Sequence, residues 1–223
     1  MARPSNKLDL ALLASGRALF PTTGCAGLSL RALAEHAGVN VGMFHYHFKT
    51  KDQFLRTLLQ GMYEEMFASL QAEAGHAGPA IARLRAALLA FAGFARANRR
   101  VLARIWTDAV GGEKVAQEFF RDNLPRHVGL LTGLLEQARR EGALRDLPAV
   151  QQFAFLMGAL VMPVIFAAAL MDAGVPPLPL RLAFGAQVMT DAALEQRVDL
   201  ALAALRAEIV EQPKRGLRMG ARA

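Results

Sequence analysis

Ser29-Leu-Arg-Ala-Leu-Ala-Glu-His-Ala-Gly-Val-Asn-Val-Gly-Met-Phe-His-Tyr-His-Phe48 decides how the rest of the chain is read. Ser29 is a favourable N-cap for a short helix from Leu30 to Ala37. Gly38 supplies the positive backbone angle that ends this helix. Asn40 then caps a further helix that runs to about Phe48. Two short helices joined by a tight glycine turn are the layout of a DNA-binding helix-turn-helix. Leu30, Leu33, Ala34, Val39 and Phe44 can pack together and hold the second helix at a fixed angle to the first.

The opposite face of the second helix then points outward with Val41, Gly42, His45 and Tyr46. Small residues at its start let the backbone approach a groove closely, and His45 can donate to or accept from base edges. Arg31, on the supporting helix, has a guanidinium fork that suits guanine or a phosphate. Ser29, Tyr46, His47, Lys49 and Lys51 cluster where phosphates would lie. Taken singly, each has an ordinary alternative. Arg31 also suits a solvated helix charge, His45 and Tyr46 plain surface, His47 a satisfied structural histidine, and Lys49 and Lys51 a polar turn. Their combination beside a glycine turn in a basic segment favours DNA.

The charge distribution agrees. Residues 1–60 carry 7 Lys/Arg against 3 Asp/Glu, whereas the body is close to neutral and the last eleven residues hold four basic and no acidic ones. Basic ends suit an anionic partner.

Further out, nearly every segment has helical spacing, and no period-2 run stands out. A first helix spans 7–20, burying Leu8, Leu12, Leu19 and Phe20, and Pro21 is expected to end it. Thr50-Lys-Asp-Gln53 is a capping box that opens a long helix over 51–73. Helices follow at 80–97, 99–110, 113–141 and 149–172, with Pro125 expected to kink or split the third of these. Val175-Pro-Pro-Leu-Pro179 reads as a stiff loop, and a last helix spans 190–211. The expected fold is all-α: a three-helix DNA-binding domain over 1–50, a larger helical ligand-binding and dimerisation domain over 51–212, and a disordered basic tail over 213–223.

Apolar residues make up 53% of the 223, which calls for a large core or a buried subunit interface. The last helix aligns Leu194, Val198, Ala201, Leu202 and Leu205 along one stripe, read as a dimer interface with 149–172 as companion; an intramolecular core is the alternative. The stretch 153–171 is uncharged and at the length threshold for a membrane span, but Gly158, Pro163, five alanines and the lack of a basic flank fit a helix buried in protein. Phe91, Phe94, Trp106, Phe120, His127, Met157 and Met162 are candidates for an apolar pocket, although each is also ordinary core material.

Cys25, the single cysteine, excludes an internal disulfide and a cysteine-based metal cluster. It fits a cytoplasmic protein and reads as a small buried filler. No P-loop, dinucleotide glycine fingerprint, zinc-protease motif or nucleophile elbow occurs. His45 and His47, two apart, point to different sides of a helix. Neither an enzyme nor a metal or other cofactor is therefore expected.

Ser29 to Ala34, then Ala37 to Leu55, resembles the tetracycline-repressor (TetR) family, and Ala18-Leu-Phe20 matches the end of that family's first helix. Tyr46-His-Phe48 followed by Lys51 and Asp52 is the most specific part. The resemblance covers about residues 8–60. It implies a homodimer on a palindromic double-stranded operator, released by a small-molecule effector in the helical body. It assigns DNA contacts to Ser29, Arg31, Asn40, Val41, Gly42, Met43, His45, Tyr46, His47 and Lys51. Met43 stands where the family often has Thr or Ser and cannot donate their hydroxyl bond to phosphate. His45 stands where Tyr is commoner. A repressor is the expectation; an activator or architectural protein without a ligand is the alternative, with a helical enzyme or a membrane protein behind it.

Overall fold

The computed structural model describes residues 5–207. The last expected helix stops at Leu205, where Arg206 turns extended; positions 208–211 and the basic tail lie outside the described residues. Within them the chain is helical, apart from an isolated antiparallel bridge between Leu144 and Arg206.

The elements are α1 (Ser5–Gly27), α2 (Leu30–Ala37), α3 (Val41–His47), α4 (Lys51–Ala74), α5 (Ala80–Ala97), α6 (Arg99–Val110), α7 (Lys114–Arg140), α8 (Ala149–Leu160), a π-helical turn (Pro163–Ala167), α9 (Ala168–Asp172), α10 (Leu178–Val188) and α11 (Asp191–Leu205).

The short helices begin and end where local chemistry dictates. Ser29, Asn40 and Thr50 each accept a backbone N–H at the start of α2, α3 and α4. Gly38 closes α2 at φ 67°. The capping box is modified: Gln53 Oε1 accepts from the backbone of Lys49 rather than Thr50.

Pro21 does not end α1. The helix continues to Gly24, where φ of 64° breaks it. Proline removes only its own N–H, and the hydroxyls of Thr22 and Thr23 both donate to the Leu19 carbonyl through this turn. Pro125 likewise leaves α7 continuous. It sits on the exposed face, where water can satisfy the carbonyl that loses its partner.

Two apolar clusters organise the molecule. The first joins Leu12, Phe20, Leu33, Phe44 and Phe48 to Phe54, Leu55, Leu58 and Leu59 of α4, and to Val101, Ile105, Val115 and Ala116 of α6 and α7. The core beneath the first three helices is thus closed by later ones. The second cluster fills the body between α4, α5, α7, α8 and α11.

This second cluster corrects the reading of the last helix. Leu194, Val198, Ala201, Leu202 and Leu205 are all buried within the same chain. α11 packs on α5 and α8, so its one apolar stripe is spent on the chain's own core. The exposed apolar surface lies instead on the apolar helical stretch 149–172, at Val150, Phe155, Met162 and Leu170, and on Leu178, Leu180 and Leu182 of α10. That stretch is long and apolar enough to cross a membrane. α10 has no fully buried residue, and sequence periodicity did not reveal it. Pro177 and Pro179 are compatible with its first turn, where backbone N–H groups have no helical partner.

Leu202→Arg is expected to unfold the protein rather than dissociate it, costing at least about 3 kcal/mol in urea denaturation. A folded monomer of wild-type stability would put α11 back at a subunit interface.

Candidate nucleic-acid interface and ligand cavity

α3 is seven residues long, too short to persist alone. Phe44, its one wholly buried residue, anchors it: the ring packs against Phe48 at 5.6 Å and Phe54 at 5.5 Å. With Phe44 turned inward, Val41, Gly42, Met43, His45 and Tyr46 face out, Tyr46 being 77% exposed. His45 rests edge-on against Phe44.

The predicted interface residues divide into two groups. Arg31, Met43, His45, Tyr46 and Lys49 are exposed, and the side chains of Arg31 and Lys49 make no hydrogen bond or ion pair among the described residues. Val41 and Gly42 of α3 are exposed as well. Ser29 and Asn40 are exposed but act as caps, accepting from the N–H groups of Ala32 at 3.4 Å and Gly42 at 2.8 Å. Lys51 Nζ donates to the Ala26 carbonyl at 2.8 Å and ties the end of α1 to the start of α4. One of its three N–H donors is thereby committed.

His47 is structural: its side chain is only 6% exposed and Nδ1 pairs with the Asp9 carboxylate of α1. This pairing spans 38 positions of sequence, so the local motif could not display it.

A second bond unseen in the sequence docks the end of α1 on α6. The Cys25 backbone N–H donates to Asp108 Oδ2 at 2.7 Å, and Arg104 Nε donates to Asp108 Oδ1 at 2.9 Å. Asp108 is buried. Arg104 presses on Gly24 so closely that a Cβ there would collide with the guanidinium. The Cys25 thiol is buried beside the Asp108 carboxylate, and burial first, then that carboxylate, pushes it up to about 12. A thiol so rarely ionised is a filler and not a redox group.

Phe91, Phe94, Trp106, Phe120, His127, Met157 and Met162 come together around one cavity of about 340 Å³ between α4, α5, α6, α7, α8 and the π-helical turn. Tyr63 and Asn123 also line it, and among the described residues no formally charged one does. π-helical turns inside longer helices are frequent at functional sites; here Ile165 and Phe166 of that turn form part of the wall. Burial pushes the His127 imidazole below its ordinary 6.5, against a smaller opposing effect of its bond to the Asn123 carbonyl.

Comparison with known proteins is consistent with this geometry. A family model described as bacterial regulatory proteins of the tetR family matches residues 12–58. No curated relative matches the chain. Among solved structures, the ketosteroid transcriptional regulator KstR2 of Mycobacterium tuberculosis superposes with a TM-score of 0.68 at 19% identity, covering 93% of this chain and 99% of its own. A tetR-family regulatory protein from Rhodococcus RHA1 gives 0.71 at 15%, covering 92% and 100%. PfmR of Thermus thermophilus, a TetR-family transcriptional regulator, gives 0.64 at 18%, covering 86% and 97%. At such identities the likeness establishes a shared fold.

Arg31→Ala and His45→Ala are each expected to weaken binding to the preferred DNA sequence by about 1–3 kcal/mol, and Lys49→Ala to lower the salt slope by about one. His47→Ala should lower stability and leave that slope unchanged. Mobility shifts at several salt concentrations check all four; an unchanged affinity in both base-reading variants would move the interface elsewhere. The depressed His127 also predicts a pH effect. The unfolded chain binds a proton near pH 6.5 more readily than the folded one, so stability held above that pH falls as the pH drops through it. Urea unfolding at pH 7.5 and 5.5 should show the loss, and His127→Leu should reduce it.

Proposed function

With residues 12–58 those of a tetR-family bacterial regulatory protein, we propose that the chain is a ligand-responsive repressor that binds a palindromic operator as a homodimer and leaves it when a small molecule enters the 340 Å³ cavity. The helix-turn-helix makes it a DNA-binding transcription regulator, and the cytoplasm is its place of work. The observation that carries the effector reading is the cavity's position. Leu102, Ile105 and Trp106 of α6 line it, while Arg104 and Asp108 of the same helix hold the end of α1. α6 thus has one face in the cavity and another on the DNA-binding head. A ligand that displaces α6 drags α1, and with it α2 and α3, so that the two reading helices of a dimer no longer match successive grooves.

The dimer interface belongs on the exposed stripe of 149–172, not on α11. Ala154, Phe155, Gly158, Met162, Ala169 and Leu170 are exposed at helical spacing, with the apolar side chains of α10 nearby in sequence. An uncharged apolar face of this length matches the composition of subunit interfaces. Its small residues permit close helix approach, and a two-fold axis would make it self-complementary.

Selection of bound DNA from a random pool tests the function. Enrichment of a palindrome with half-sites about 34 Å apart, or a multiple, is the expected result. A single unpaired motif, or no enrichment, would contradict a dimeric sequence-specific regulator. Phe155→Arg should convert the dimer to a folded monomer in sedimentation and abolish tight operator binding. An intact dimer would place the interface on another face.

A further inference from the structure

The polar groups around the cavity are almost all satisfied within the protein, which constrains what it accepts. Asn123 Nδ2 donates to Gln60 Oε1 and to the Phe119 carbonyl, and its Oδ1 accepts from Gln60 Nε2. The Tyr63 hydroxyl donates to the Asn123 carbonyl at 2.9 Å. That bond uses the hydroxyl's only hydrogen, so it meets His127 Nδ1, 3.4 Å away, with a lone pair. Of the two neutral tautomers, the one protonated on Nδ1 suits this lone pair, since the hydroxyl's shorter bond takes its hydrogen. A neutral ring protonated on Nδ1 has an acceptor at Nε2, and Nε2 makes no hydrogen bond among the described residues.

His127 is stacked on Phe91, with ring centroids 5.5 Å apart, and its Nδ1 faces the Tyr63 hydroxyl. Nε2 is what it has left to offer an occupant. Trp106 is 45% exposed, and its ring packs edge-on against Phe120 and Phe166. No cation lines the cavity. Arg126 lies over the rings of Tyr63 and Phe67, is bound to Glu64 and reaches Asn123 Oδ1 at 3.4 Å.

Resting on the effector reading above, we infer that the cavity selects an uncharged, largely hydrocarbon molecule carrying one hydroxyl or N–H group, which donates a hydrogen bond to His127 Nε2. A carboxylate would be buried without a counter-charge among the described lining residues. An ether or ketone would set its oxygen lone pair against that of Nε2. A donor satisfies the open nitrogen of His127 while the rest of the molecule meets Met, Phe and Leu side chains.

Trp106 is the only tryptophan, and it reports on the cavity. Fluorescence titrations of the full chain with 1-adamantanol, 1-methoxyadamantane and 1-adamantanecarboxylate separate the three chemistries without absorbing at the excitation wavelength. The alcohol should bind about tenfold or more tightly than the ether, and the carboxylate most weakly of the three. His127→Leu should raise the alcohol's Kd to that of the ether and leave the ether's unchanged. An ether or carboxylate that binds as well as the alcohol, or an alcohol Kd indifferent to His127→Leu, overturns the donor requirement while leaving an effector cavity in place. No Trp106 response to any of the three overturns the effector reading itself, and this inference with it.

Discussion

Everything at the DNA-facing end depends on the burial of Phe44 against Phe48 and Phe54. A seven-residue helix has too few internal hydrogen bonds to hold its own shape. The inward Phe44 ring, with His47 held by Asp9, both stabilises it and sets its rotation, which decides that His45 and Tyr46 look outward. Because Phe54 belongs to α4, and α4 continues into the body's core, the direction of the reading surface is tied to the rest of the protein from the outset.

α6 makes the second tie. Its buried Asp108 spends both carboxylate oxygens on holding elements together, one on the Cys25 amide and one on Arg104. A buried carboxylate is tolerated only when so compensated. The glycine at position 24 is required twice over at this point: by its positive φ and by the guanidinium packed where a side chain would be. The head is thereby joined to the same helix that walls the cavity, and a shape change in the body has a rigid route outward.

The cavity itself reflects a division of labour between apolar bulk and a few fixed polar groups. Aromatic and methionine side chains from six elements enclose space without charge among the described residues, and hydrogen bonds hold Asn123 to Gln60 and the Tyr63 hydroxyl to the Asn123 carbonyl beside His127. Selectivity of that kind comes from leaving one polar atom open, not from adding polar contacts.

The amino-acid sequence by itself determined the all-helical class, the positions of the helix-turn-helix, and the caps at Ser29, Asn40 and Thr50, because those depend on neighbours within a few residues. It also contained the seven side chains that the fold gathers around the cavity, since large apolar residues must be buried somewhere. Only the tertiary structure decided which apolar stripe faces inward. The stripes on α11 and on 149–172 look alike along the chain, but α11 is buried in its own core and the other helix keeps an apolar face exposed. The same holds for His47, which looked like a phosphate ligand until Asp9 was brought beside it, and for Asp108, whose partner lies 83 residues away. Local preferences fix where helices begin and end; competition among all the apolar faces and buried polar groups for a limited interior fixes their partners, and that competition is settled only when the whole chain packs.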